Sequence, residues 1–207
     1  ETVASKEEVY LTGEITSNAN VDIEAIVRNA IKEVGYDSEE AGMDYKTCSI
    51  RINISKQSSD IAMGVDNALE TREKNGETLE GAGDQGIMFG FACDETEEFM
   101  PLAIMLAHKL AKRLEVVRKE KIIDGLRPDG KVQVTVEYED DKPVRVDTIV
   151  VSAQHIPEKD IDELRKEIIE KVIKEIVPAK LLDSNTKYLV NPTGRFVIGG
   201  PYGDSGL

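Results

Sequence analysis

Asp22-Ile23-Glu24-Ala25-Ile26-Val27-Arg28-Asn29-Ala30-Ile31-Lys32-Glu33-Val34 returns as Asp160-Ile161-Asp162-Glu163-Leu164-Arg165-Lys166-Glu167-Ile168-Ile169-Glu170-Lys171-Val172, at a constant offset of 138 residues. In the first copy Ile23, Ile26, Val27, Ala30, Ile31 and Val34 share one helical face, Asp22 can open the helix, and Gly35 fits its C-cap. The flanks repeat as well: Leu11 matches Ile149, and Ile50, Ile52 and Asn53 match Tyr188, Val190 and Asn191. Helical periodicity alone aligns some of these positions. The match of both flanking strands makes duplication of a strand-helix-strand unit the better explanation. It predicts an α+β fold of two similar layers, each a mainly antiparallel sheet with helices on one face. Sites form where such copies meet.

The rest of the chain can be read outward from that repeat. Val9 to Thr16 and Thr47 to Ser55 alternate and read as strands beside the first helix. Lys56 to Glu80 is polar and aperiodic, with a short helix expected near Asn67 to Glu73. A loop of about 25 residues in a compact domain is commonly a functional lid or disordered. Gly81-Ala82-Gly83-Asp84-Gln85-Gly86 reads as a tight polar turn, and the apolar Ile87 to Cys93 as a buried strand. Met100-Pro101 starts a long helix with Leu102, Met105, Leu106, Leu110 and Leu114 as its stripe, and Arg113, Arg118, Lys119 and Lys121 as a solvated face. Leu126 to Lys131 reads as a turn, Val132 to Glu139 and Val144 to Ala153 as strands of a hairpin, and Asp160 to Val177 as a helix stopped by Pro178. Lys187 to Asn191 is a short strand, followed by a turn over 191–195 and a glycine-rich end.

The 207 residues carry 40 acids against 26 bases, a net charge of -14, which argues against nucleic acid as a partner. An anionic substrate would need a local basic cluster or divalent cations. The core must be aliphatic, because aromatics are 5% and Trp is absent. Cys48 and Cys93 match no ligand spacing and read as reduced thiols. No apolar run reaches the ~18 residues of a membrane span, and no secretory signal is visible, so a cytoplasmic protein without membrane contact is expected.

No Gly-Lys-Ser/Thr loop and no Ser-His pair is present. His108, on or near the apolar side of the long helix, and His155, at a strand end, read as structural. What remains is polar groups at strand ends backed by glycine turns: Gln57, Asp129, Lys131, Arg195 with Phe196, and Asp204. Lys131 or Arg195 could meet a phosphate, Phe196 could stack on a heteroaromatic ring, and Asp129 could accept from a ribose or hold a cation. A lone lysine or arginine is more often plain surface charge.

The stretch Gly81-Ala82-Gly83-Asp84-Gln85-Gly86-Ile87-Met88-Phe89-Gly90 resembles the glycine-rich signature of the S-adenosylmethionine synthetases (methionine adenosyltransferases). Thr12 to Thr16, Lys56 to Ile61, Leu126 to Lys131, Ser152 to His155 and Asn191 to Pro201 resemble further family segments in family order, so the likeness covers essentially the whole chain. It implies a pseudo-threefold build of similar α/β subdomains. Residues 1–59 would be part of the N-terminal one, 60–80 a mobile gating loop, 81–195 the central one, and 196–207 the start of an incomplete third.

The resemblance also implies a reaction: S-adenosylmethionine from ATP and L-methionine, with release of phosphate and diphosphate. Glu1 and Gln57 would contact methionine. Asp129, Gly130 and Lys131 would line the ATP site, and Arg195 and Phe196 would hold the nucleoside. Asp204 would touch both substrates, and Lys131 and Asp204 would be the catalytic pair. Gly130 stands where the family commonly has Ala, and Leu69 to Glu80 is longer than usual. Mg²⁺ and K⁺ are implied as cofactors, but no metal ligand is assigned here. The family's His-Pro-Asp-Lys segment would precede Glu1, and its Gly-Gly-Gly-Ala-Phe-Ser-Gly-Lys-Asp signature would follow Leu207. A homodimer with the site at its interface, and beyond it a dimer of dimers, is expected. The competing reading is a catalytically incomplete piece that folds, dimerises and at most binds nucleotide.

Overall fold

The computed structural model describes residues 1–66 and 86–205. The duplication is visible in it. The first copy runs β1 (Thr2–Ser5), β2 (Glu8–Glu14), α1 (Ile23–Val34) and β5 (Ser49–Ser55), with a small ribbon of β3 (Asp37–Ser38) and β4 (Met43–Asp44) inserted after the helix. The second runs β6 (Leu126–Glu139), β7 (Lys142–His155), a helix beginning at Ile161, and β8 (Lys187–Val190). Each copy is therefore a hairpin, a helix and a returning strand, and each sheet has its hairpin's second strand in the middle: β1-β2-β5 and β6-β7-β8. The hairpins pair antiparallel and the helix crossovers return parallel, as a strand-helix-strand connection requires. β1 has no counterpart among the strands read from the sequence.

The copies differ in register. Leu11 faces Ile52, whereas its counterpart Ile149 faces Tyr188, the counterpart of Ile50. A slip of two residues keeps every side chain on its own face, so the repeat tolerates it.

Local signals explain the helices. Asp22 accepts from the Ala25 amide at 3.0 Å and Asp160 from the Glu163 amide at 2.8 Å. Gly35 takes φ 104, its amide reaches Lys32 O and the Tyr36 amide reaches Ile31 O, which completes a left-handed C-terminal cap. The second-copy helix, α4 (Ile161–Ile168), continues through a π-helical turn over Ile169–Ile173 to Ile176 and stops before Pro178. The β6–β7 hairpin closes on Asp140 and Asp141, both with positive φ (48 and 60), the geometry that matches strand twist.

The core lies in the second copy. The long helix α3 (Leu102–Lys119) sets Leu106, Leu110, Leu114 and Val117 against Val146, Ile149 and Val151 of the sheet, Leu164 and Ile168 of α4, and Val172 and Ile173 of the π-helical turn after it. The first copy has a small centre of Val9, Met43 and Cys48. Its helix α1 has no buried residue, and Ile26 and Val34, the counterparts of fully buried Leu164 and Val172, are 55% and 45% exposed. The sequences repeat, but only the second copy has α3 to close its helical layer.

Five expectations need correction. Ile87 to Cys93 joins no sheet, and Ile87, Met88, Phe89 and Phe91 are exposed, Phe89 at 96%. An apolar run signals burial but cannot say that a partner strand stands beside it. Leu126 to Lys131 is the start of β6 rather than a turn. Arg113 and Arg118 are not a solvated face: Arg113 donates to Lys171 O at 3.0 Å, and Arg118 donates to Val34 O at 2.7 Å, tying α3 to the end of α1. His108 lies on the exposed side of α3. The polar stretch after β5 opens as a helix, α2 (Ser59–Asp66). The helix expected near 67–73, most of the gating loop and Gly81 to Gln85 lie outside the described residues.

Candidate active site

The site is organised by an irregularity in β6. Leu126 pairs with His155 and Gly130 with Ala153, so four steps on β6 span two on β7. The extra residues bulge out of the ladder at Arg127 to Asp129. This leaves the Asp129 amide without a strand partner, and the side chain of Gln154 supplies one: Oε1 accepts from Asp129 N at 3.1 Å. At the end of the bulge, Asp129 faces the same side as Lys131, and Gly130 faces the other. A Cβ on Gly130 would lie 2.8 Å from Leu114 Cδ2, so Gly130 is where α3 rests on the sheet.

The segment 196–205 returns across this bulge. Phe196 N donates to His155 Nε2 at 3.2 Å, His155 N donates to Phe196 O at 2.9 Å, and Gly200 N donates to Asp129 Oδ2 at 2.9 Å. Gly199 lies among Phe196, Asp129 and Gln154: a Cβ there would come within 2.8, 2.9 and 3.0 Å of their side chains. No larger residue fits, which is the physical reason for a glycine pair at this crossing. The far end is held by the first copy, where the Ser5 and Ser205 hydroxyls stand 2.7 Å apart.

Asp129, Lys131 and Asp204 thereby line one cavity of about 740 Å³ between the copies. Its other wall is apolar: Ile26, Val27, Ala30, Ile31 and Val34 of α1, with Ala4, Val9 and Met43. Tyr36 completes the polar side, against Gly200. Burial, and then the carboxylate of Asp129, push the Tyr36 phenol up to about 12. Sequence reasoning passed over Tyr36. Its signal was its place directly after the Gly35 cap, where a side chain folds back on the helix.

The other candidates sit apart. Phe196 is half-buried beside the crossing, and Arg195 is exposed and forms no ion pair among the described residues. Glu1 does not line the cavity. Its ammonium donates to Thr12 O at 2.7 Å, and strand alternation turns Thr2 and Ala4, not Glu1, toward the opening. Gln57 lies just past the end of β5, which pairs Glu14 with Ser55, away from Asp204. Among the described residues no group of three or more His, Cys, Asp or Glu could hold a metal ion, so the described side chains alone form no Mg²⁺ cage. No helix among them is long and apolar enough to cross a membrane.

Residues 79–196 match the family model of the S-adenosylmethionine synthetase central domain, and residues 1–59 match that of its N-terminal domain. The chain belongs to the S-adenosylmethionine synthetase family. Its relatives agree. It is 55% identical to an S-adenosylmethionine synthase of Clostridium acetobutylicum over 209 aligned positions, covering 100% of this chain and 54% of the relative. It is 56% identical to one of Clostridium botulinum, over 96% of this chain and 51% of the relative. The chain thus spans about half the length of the curated relatives it matches. Within the S-adenosylmethionine synthetase family frame, the bulge of β6 falls in the central-domain match, and the apolar wall of the cavity falls in the N-terminal one.

Proposed function

We propose that the cavity between the copies is part of an ATP and L-methionine site and that the protein is a methionine adenosyltransferase. The observation that carries this reading is the meeting of Asp129, Lys131 and Asp204 on one cavity whose other wall is apolar. An aliphatic wall suits the uncharged parts of a nucleoside and a thioether side chain, and the charged edge suits phosphates and an amino acid.

In the proposed reaction the methionine sulfur attacks C5′ of ATP. The C5′–O bond breaks, the electron pair leaves with triphosphate, and the sulfur becomes a sulfonium. A thioether sulfur has no proton to lose, so no general base is required, and the chemistry depends on alignment and on charge at the leaving oxygens. Lys131, exposed on the cavity edge, is the base best placed to meet phosphate oxygens, and Asp204 the acid best placed for the methionine ammonium. Gly130 would contribute only through its backbone. Phe196 and Arg195 would flank the nucleoside. Glu1 and Gln57, which lie off this cavity, would contact methionine where a second copy brings them to it, as a homodimer with its site at the interface requires. Hydrolysis of triphosphate to phosphate and diphosphate completes the proposed cycle. Mg²⁺ and K⁺ belong to this reading as assay components, and no step is assigned to them on the residues present.

The test is product formation. The protein extended to the length of its relatives is incubated with ATP, methionine, Mg²⁺ and K⁺, and S-adenosylmethionine is sought by mass spectrometry. Product is expected, and its absence would overturn the assignment. The open apolar face of α1 supports a second reading for the 207-residue chain alone: it folds and binds nucleotide without turnover. A homodimer, and a dimer of dimers, belong to the same proposal. Light scattering that returns a monomer mass would remove that part.

A further inference from the structure

We propose that Gln154 and His155, the last two residues of β7, are the positioning residues of this site, holding Asp129 at the cavity and the segment that starts at Phe196 beside it. The proposal rests on the nucleotide-site reading above. Gln154 is fully buried and His155 is 3% exposed, and neither lines the cavity.

A buried amide must find partners for its oxygen and both N–H bonds, and Gln154 spends them on three different segments. Its oxygen accepts from the Asp129 amide in the bulge of β6 at 3.1 Å. Its nitrogen donates to Val197 O at 2.9 Å in the returning segment and to Ala41 O at 3.2 Å beside the β3–β4 ribbon. One side chain thus joins the β6 bulge, the 196–200 crossing and the first copy. His155 acts next to it. The Phe196 amide can only donate, so Nε2 at 3.2 Å is the acceptor, and Nδ1, 2.8 Å from Ile156 O, carries the proton. The ring is therefore the neutral Nδ1–H form, fixed at both nitrogens, and its backbone adds the bond to Phe196 O. Asp129 closes the loop through Gly200 N.

This arrangement serves position more than stability. The hydrophobic core of the second copy lies around α3, α4 and the sheet, and Gln154 and His155 add no apolar group to it. What they fix is the bulge that aims Asp129 and the backbone from which Phe196 projects.

The test uses ATP titration calorimetry and steady-state kinetics on the protein extended to the length of its relatives. Gln154→Glu keeps the acceptor for Asp129 N and replaces the donors to Val197 and Ala41. His155→Leu removes the acceptor for Phe196 N, and His155→Gln returns one. The loss of one or two neutral hydrogen bonds corresponds to about tenfold. Gln154→Glu and His155→Leu are expected to raise the ATP dissociation constant and KM about tenfold, and His155→Gln to recover most of the loss. A purely structural role would reduce the folded fraction and the apparent kcat with an unchanged KM for ATP, and that outcome overturns the proposal. A wild type that binds no ATP would instead overturn the nucleotide-site reading. Should the variants not fold, hydrogen exchange of the wild-type chain decides. Asp129 and Phe196 amides protected as well as those of β7 support the proposal, and exchange at the unprotected rate overturns it.

Discussion

The carboxylate Oδ2 of Asp129 accepts a hydrogen bond from the backbone N–H of Gly200 at 2.9 Å. That contact ties the bulged start of β6 to the glycine-rich segment carrying Asp204, and it brings two acids and Lys131 to one opening. A hydrogen bond to a charged group is worth about 1.5–3 kcal/mol. Asp129→Ala should therefore release the crossing. The Gly200 amide is expected to lose protection against hydrogen exchange by about tenfold or more, while the amides of α4 keep theirs.

Gly130 makes a different prediction from its neighbours. It faces Leu114 and not the cavity, and the atom that a Cβ would meet is the end of a flexible side chain. Gly130→Ala should change stability by less than about 1 kcal/mol, since loss of chain freedom in the unfolded state offsets the local crowding. Gly130→Val should cost about 1–3 kcal/mol. Urea denaturation of the two variants checks both.

The unequal burial of the repeated helices can be weighed directly. Leu164 is fully buried and its counterpart Ile26 is 55% exposed. In the 207-residue chain Leu164→Ala should cost about 2–5 kcal/mol, and Ile26→Ala less than about 1 kcal/mol. Equal losses by chemical denaturation would mean that the first copy is as well closed as the second.

The ion cluster at the outer end of the second sheet predicts a pH response. Arg145 reaches Asp183 at 2.6 and 3.1 Å, Glu137 at 2.7 Å and Asp147 at 3.2 Å. The guanidinium, then the Asn185 amide, hold the Asp183 carboxyl down to about 2. A carboxyl lowered in the folded state contributes stability above its unfolded value and loses it as pH falls toward 2. Arg145→Gln should return Asp183 toward the ordinary aspartate range, read by carbon NMR titration, and should remove that part of the acid sensitivity.

How much of this was legible depended on whether the cause was local. Asp22, Asp160, Gly35 and the Asp140–Asp141 turn act within a few residues of themselves, and each does what its sequence context predicts. The N-terminus of α3 shows the limit. Its first amide, Leu102 N, is capped by Glu95 Oε2 at 2.8 Å, seven residues upstream and outside any local pattern. The backbone N–H of Leu102 and the Tyr138 hydroxyl lower the Glu95 carboxyl in turn. Pro128 and Gly130 signal a turn, yet the pairing of Leu126 with His155 makes the same residues a bulged strand. The apolar run from Ile87 to Phe91 signals a strand, yet no partner stands beside it among the described residues. The site follows the same rule. Asp129 and Lys131 share a face by strand alternation, but their meeting with Asp204 depends on a crossing 71 residues away that only the family resemblance suggests.

In the proposed function this cavity handles the phosphates of ATP during transfer to methionine. The direct measurement is the rate of S-adenosylmethionine formation by the Lys131→Ala variant of the protein extended to the length of its relatives, at saturating ATP and methionine. Loss of a cation aimed at developing charge predicts a fall in kcat of about a hundredfold or more. A kcat equal to that of the wild type would contradict the account.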